Sequence, residues 1–83
     1  GGVRFTIEAP HARDVRVTGE FTDWSYEGVP LQRSDDGVWS SVIEVGEGAH
    51  EYRFILDGVW VKDPNNFESV TNEFGQENSV VVV

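Results

Sequence analysis

Trp24 and Trp60 are the residues with the most to offer chemically in a chain of 83 residues that carries three tryptophans. A flat indole in water is a platform for another flat apolar face. The C–H face of a pyranose is such a partner, because stacking buries apolar area and the electron-rich π face attracts polarised C–H bonds. The hydroxyls at the rim of a sugar then need amides, a guanidinium or carboxylates. Arg53 and the asparagines Asn65, Asn66, Asn72 and Asn78 supply those types. Each residue also has a plainer role. Arg53 suits a surface ion pair, and asparagine forms turns and tolerates left-handed backbone. Trp24, in a Ser/Asp/Tyr/Gly loop, is either a lid on the core or an exposed platform. Trp39 shares an alternating face with Ile43 and Val45 and reads as core.

Other chemistries find less support. Six basic residues stand against 15 acidic ones, a formal charge of −9. That balance disfavours nucleic acid and anionic membranes, which are bound by neutralising phosphate, and favours a neutral ligand or a basic partner. No apolar run approaches the length of a membrane-spanning helix. Without cysteine there is no disulfide, thiolate nucleophile or thiolate metal site. His11 and His50 lack metal-ligand spacing. Asp63-Pro64-Asn65 opens like a calcium loop, but Phe67 occupies a ligand position and the required glycine is missing. Asp35-Asp36-Gly37 reads as a turn, and Glu44, Glu47 and Glu51 as a solvated strand end. No catalytic set, cofactor site or metal site is expected.

The elements that must position these residues have a period of two. Val3, Phe5 and Ile7 alternate with Arg4, Thr6 and Glu8; Val15, Val17, Gly19 and Phe21 form a second set; Trp39, Ser41, Ile43 and Val45 form a third. Turn signals separate them at Ala9-Pro10-His11, Ser34 to Gly37, Gly46-Glu47-Gly48 and Asp57-Gly58. The pattern predicts six to eight short strands in an all-β antiparallel sandwich. The whole chain, 1–83, is expected to be one domain. Its Gly1-Gly2 start, with no Met anywhere, is expected to be a trimmed end.

Asp57-Gly58 is the most informative turn. A two-residue Asp-Gly loop favours a type I′ hairpin and sets Leu56 opposite Val59, Ile55 opposite Trp60, Phe54 opposite Val61 and Arg53 opposite Lys62. Opposed residues share a face. Tyr52, Phe54, Leu56, Val59 and Val61 then form the core face, and Glu51, Arg53, Ile55, Trp60 and Lys62 the wet face. Beyond it, Asp63 to Asn78 has no clean period and reads as a long loop, a length that is often functional. Phe74 in that loop, flanked by Glu73, Gly75 and Gln76, has no evident core partner.

The ordered series Gly19-Glu20-Phe21-Thr22-Asp23-Trp24, Pro30-Leu31, Gly48 to Phe54, Asp57-Gly58-Val59-Trp60 and Asp63-Pro64 resembles the glycogen-binding module of the AMP-activated protein kinase β subunit. The wider family is carbohydrate-binding module family 48, the isoamylase N-terminal or early-set domain. The resemblance runs from about Val3 to Val83. It implies an immunoglobulin-like β-sandwich that binds α-1,4-glucans such as glycogen, starch, maltooligosaccharides and cyclodextrins without catalysing a reaction. It also implies stacking by Trp24 and Trp60, hydroxyl binding by Arg53 where the family has lysine, and an apolar projection at Phe74 where the kinase module has leucine. The polar pair of the family's loop falls on Gln76 and Asn78, the first a threonine in the kinase module. Two other roles follow from the same resemblance: an excised N-terminal spacer of a family 13 branching or debranching enzyme, or a protein-docking module of a kinase-type scaffold. A catalytic domain or a protein partner belongs to either. Glycogen is an intracellular store, so cytoplasm is the expected compartment.

Overall fold

A computed structural model covers residues 1–83 and shows an all-β, antiparallel sandwich. The strands are β1 (Gly2–Glu8), β2 (Val15–Gly19), β3 (Val29–Pro30), β4 (Gln32–Arg33), β5 (Val38–Glu44), β6 (Ala49–Leu56), β7 (Val59–Val61), β8 (Ser69–Thr71) and β9 (Glu77–Val82), with a 3₁₀ turn at Glu20–Thr22. Nine strands exceed the expected six to eight because β3 and β4 are two-residue pairings flanking Leu31. No helix is long and apolar enough to cross a membrane.

One sheet runs β1-β5-β4 and the other β3-β2-β6-β9-β8, with β7 also on β6. In the first sheet Val3 faces Ile43, Phe5 faces Ser41 and Ile7 faces Trp39. Their inward side chains meet Val15, Val17, Tyr52 and Phe54 of the second sheet, with Leu31 at the side. Phe5 sits at the centre, its ring 4.9 Å from that of Tyr52 and 5.6 Å from that of Phe21. Trp39 is core, as its alternation implies, and its one polar atom is satisfied: Nε1 donates to the Ala9 carbonyl at 2.9 Å.

The Asp57-Gly58 hairpin has the expected register, Phe54 to Val61, Ile55 to Trp60 and Leu56 to Val59. Both turn residues have positive φ, 48° at Asp57 and 85° at Gly58, as a type I′ turn demands. The Asp57 carboxylate accepts from the Arg13 and Asp14 amides at 2.9 and 2.8 Å, which ties the turn to the β1–β2 connection.

The face assignment needs two corrections. Ile55, placed on the wet face, is 1% exposed. It does lie on the outer face, between Arg16 and Trp60, but the loop after the 3₁₀ turn folds over that face. Arg16 Nη1 donates to the Glu27 carbonyl at 3.0 Å, and the buried Thr18 hydroxyl donates to the Ser25 carbonyl at 2.7 Å. Gly28 lets the chain return there, since at φ 52° a side chain would be strained and would strike the Val17 carbonyl. Val59, placed in the core set, is 62% exposed because β7 is a short strand at the sheet edge.

The stretch from Asp63 to Asn78 is not one loop. Its middle forms β8, which pairs with β9 with Val70 opposite Asn78 and Thr71 opposite Glu77. The segment before β8 is tied down by polar side chains. Tyr52 Oη donates to Asp63 at 2.7 Å, the Asp63 amide donates to Ser79 Oγ at 2.8 Å, and Asn66 Nδ2 donates to the Val80 carbonyl at 2.8 Å. Burial pushes the Tyr52 hydroxyl pKa well above its ordinary value.

Candidate functional site

Strand β6 positions the site. Its two ends have different partners along one edge: β9 pairs with Ala49–Tyr52 and β7 with Phe54–Leu56. Arg53 falls at the step between them, on the outer face, opposite Thr18 of β2. One row across this face therefore runs Thr18, Arg53, Asn78 and Val70, and the next runs Arg16, Ile55 and Trp60. An open recess of about 720 Å³ lies over them, within the range of small-molecule sites. Trp24, Trp60, Arg53, Phe74 and Asn78 all line it. Gln76 does not line it, but holds Arg53 from the rim.

The two indoles come together. Trp24 and Trp60 have ring centroids 6.4 Å apart and planes 26° from parallel. Both are half-buried, and neither belongs to the core cluster or packs against it, so Trp24 is not a lid on the core. Its placement uses backbone that bulky residues seldom adopt: Asp23 and Trp24 have φ of 54° and 55°. The turn is held by hydroxyls. The Gly19 amide donates to Thr22 Oγ1 at 3.1 Å, which lies 3.0 Å from both the Gly19 carbonyl and Thr18 Oγ1. The Trp24 amide donates to the Gly19 carbonyl at 2.8 Å.

Arg53 is held by amides instead of carboxylates. Its Nε donates to Asn78 Oδ1 at 2.7 Å and Nη2 to Gln76 Oε1 at 3.1 Å, and it forms no ion pair. Asn78 is 6% exposed, and its Nδ2 donates to Glu51 Oε1 at 3.1 Å. The chain Glu51–Asn78–Arg53–Gln76 thus fixes a guanidinium and an amide in one orientation at the floor of the recess. Phe74 stands at the opposite wall, 79% exposed, at the tip of the β8–β9 turn. Asn72 builds that turn: its Oδ1 accepts from the Phe74 and Gln76 amides at 2.9 and 3.0 Å, and its amide donates to the Gln76 carbonyl at 2.8 Å.

Several residues here were not singled out by the sequence. Glu51, read as a solvated strand end, lines the recess and orients Asn78. Its period-two relation to Arg53 could have found it. Glu20 also lines the recess, 2.6 Å from His50 Nδ1. Thr18 and Thr22 carry no local signal, since their contacts join a strand to a turn. Asn65 and Asn66 lie outside the recess, Asn66 as a structural brace.

Fold and face together define a β-sandwich module with a shallow recess that combines paired indoles with a fixed polar floor. The chain belongs to the family described as the glycogen recognition site of AMP-activated protein kinase, whose model matches residues 3–83. It is 34% identical over 71 residues to the 5′-AMP-activated protein kinase subunit beta-1 of Sus scrofa, covering 86% of this chain and 55% of that one. It is 43% identical over 54 residues to the 1,4-alpha-glucan branching enzyme GlgB of Bacillus caldolyticus, covering 64% of this chain and 8% of the enzyme. A Deinococcus radiodurans enzyme of the same name is 40% identical over 57 residues. The chain therefore spans only part of the length of these relatives.

Proposed function

We propose that this chain is a non-catalytic module that binds α-1,4-glucans such as glycogen, starch and maltooligosaccharides. Trp24 and Trp60 stack on successive glucose rings. Arg53 and Asn78 hydrogen-bond the hydroxyls between them, Gln76 steadies the guanidinium, and Phe74 packs against the edge of the helical glucan. The observation that carries this reading is the pair of near-parallel indoles, 6.4 Å apart, beside a guanidinium and an amide already fixed in place. Family membership supports the same ligand class. In a longer chain, such a module would hold glucan near a catalytic domain or kinase assembly.

The recess is open, so few rings are buried and the affinity is modest. Each stacked ring is worth about 1–3 kcal/mol by analogy with bases on aromatic side chains, or roughly 5- to 150-fold in Kd. Trp60→Ala should therefore remove measurable β-cyclodextrin binding in a calorimetric titration. Trp60 lies outside the core cluster, so the variant should retain its circular dichroism spectrum. Unchanged affinity in the folded variant would refute the assignment. A protein-docking role would instead show as a partner retained from lysate in excess maltoheptaose, with no sugar binding.

A further inference from the structure

The outer face does not end at the tryptophans. Arg16, Ile55 and Trp60 form one row across it, with Ile55 between the other two. A second recess lies over this row, lined by Asp14, Arg16, Tyr26, Glu27, Ile55 and Gly58. Its floor is the buried Ile55 side chain, two residues along β6 from Arg53, a step of about 7 Å. Its wall is Tyr26, in the same loop as Trp24, with its hydroxyl lying over Gly58. Tyr26 is 65% exposed and no hydrogen bond holds its hydroxyl. The rim is Arg16, whose Nε donates to Asp14 at 2.9 Å. As in the first recess an aromatic ring stands beside charged groups, here over an apolar floor, and Trp60 adjoins it through its pairing with Ile55.

We propose that this second recess is an extension subsite, in which Tyr26 takes a further sugar ring of a linear glucan already stacked on Trp24 and Trp60. The proposal rests on the α-glucan reading above. Its occupant follows from continuity: a chain crossing the indoles away from Phe74 meets Ile55 and Tyr26 next. Long linear chains gain the extra ring. A chain of two rings is used up on the tryptophans, and a cyclodextrin has no free end to extend.

The test compares Tyr26→Ala with wild type against maltose, β-cyclodextrin and maltoheptaose by calorimetry. One lost stacked ring, at the low end of the range above because Tyr26 lies at the end of the chain, predicts maltoheptaose binding weakened by about 5- to 10-fold, with the two shorter or closed ligands changed by less than about twofold. Tyr26→Phe keeps the ring and should keep the affinity. In amide spectra, Gly58 should shift with maltoheptaose and not with maltose. Equal affinities for maltoheptaose in wild type and Tyr26→Ala would overturn the extension subsite and leave the tryptophan site standing. Silence of the wild-type chain toward all three sugars would overturn both.

Discussion

Thr22→Val removes one hydroxyl at nearly constant volume, at a position that does not line the recess. That hydroxyl receives the Gly19 amide at 3.1 Å and lies 3.0 Å from the Gly19 carbonyl and from Thr18 Oγ1. Gly19 and Thr18 are buried, so water cannot easily replace the lost partner. Leaving a buried donor unpaired costs about 1–3 kcal/mol. In a domain of this size each kcal/mol moves Tm by about 4–8 °C, so a fall of about 4–24 °C is expected. The same hydroxyl secures the turn in which Asp23 and Trp24 sit at φ of 54° and 55°. When the turn relaxes, only the fraction of molecules with Trp24 in place binds, and apparent Kd rises by the inverse of that fraction, about 3- to 10-fold. Thermal unfolding and a β-cyclodextrin titration read the two effects, and Thr22→Ser, which keeps the hydroxyl, should lie near wild type in both. A valine variant melting within about 1 °C of wild type would refute the claim that this hydroxyl holds the turn. Lost stability with unchanged Kd would refute its link to Trp24.

Phe74→Ala should separate binding from stability. At 79% exposure the ring contributes nothing to the core, so Tm should hold while glucan affinity falls about 3- to 10-fold by loss of one apolar contact; a substantial fall in Tm would show that the ring braces the β8–β9 turn. Lys62→Met should show its effect only above acid pH. The hydrogen bond from Lys62 to Glu77, 2.6 Å, holds that carboxyl below its ordinary pKa. A depressed folded-state pKa stabilises above the unfolded carboxylate range and loses that contribution as pH falls through it. The gap in Tm between wild type and variant should be present at neutral pH and close toward about pH 3; a gap constant with pH would refute the coupling.

What was legible in the chain was local. Asp57-Gly58 fixed a register, the register set Trp60 beside Ile55, and alternation put Trp39 in the core. These follow from turn chemistry and a period of two, which act over a few residues. What was not legible depended on which segments fold over which face. Ile55 had the correct face and the wrong burial, because no local pattern says that residues 24–28 return across β2. Strand β8 was missed because three exposed residues, Ser69-Val70-Thr71, carry no alternation and exist as a strand through pairing with β9. Of the residues around the recess, those brought by resemblance came together; Glu51 shares the wet face of Arg53 by the period of two, whereas the contacts of Thr18 and Thr22 are visible only once strand and turn are folded together.

The charge of the recess bears on the ligand class proposed for it. Glu20, Glu51 and Glu73 line it, in a chain of formal charge −9, while Arg53 is the recess cation. An anionic ligand would meet three carboxylates at short range and repulsion from the whole surface. A cationic ligand would be drawn to the carboxylates and repelled by the guanidinium, which makes no ion pair of its own. A neutral polyol meets neither force. Its hydroxyls can donate to Glu20 and Glu51 and accept from the guanidinium hydrogens not used by Asn78 and Gln76. Because the amides already hold Arg53, little side-chain entropy remains to be lost when a sugar arrives, and a shallow recess can bind with few contacts. Breaking that arrangement by Asn78→Ala should therefore weaken every glucan, long or short, whereas Tyr26→Ala should weaken long ones alone.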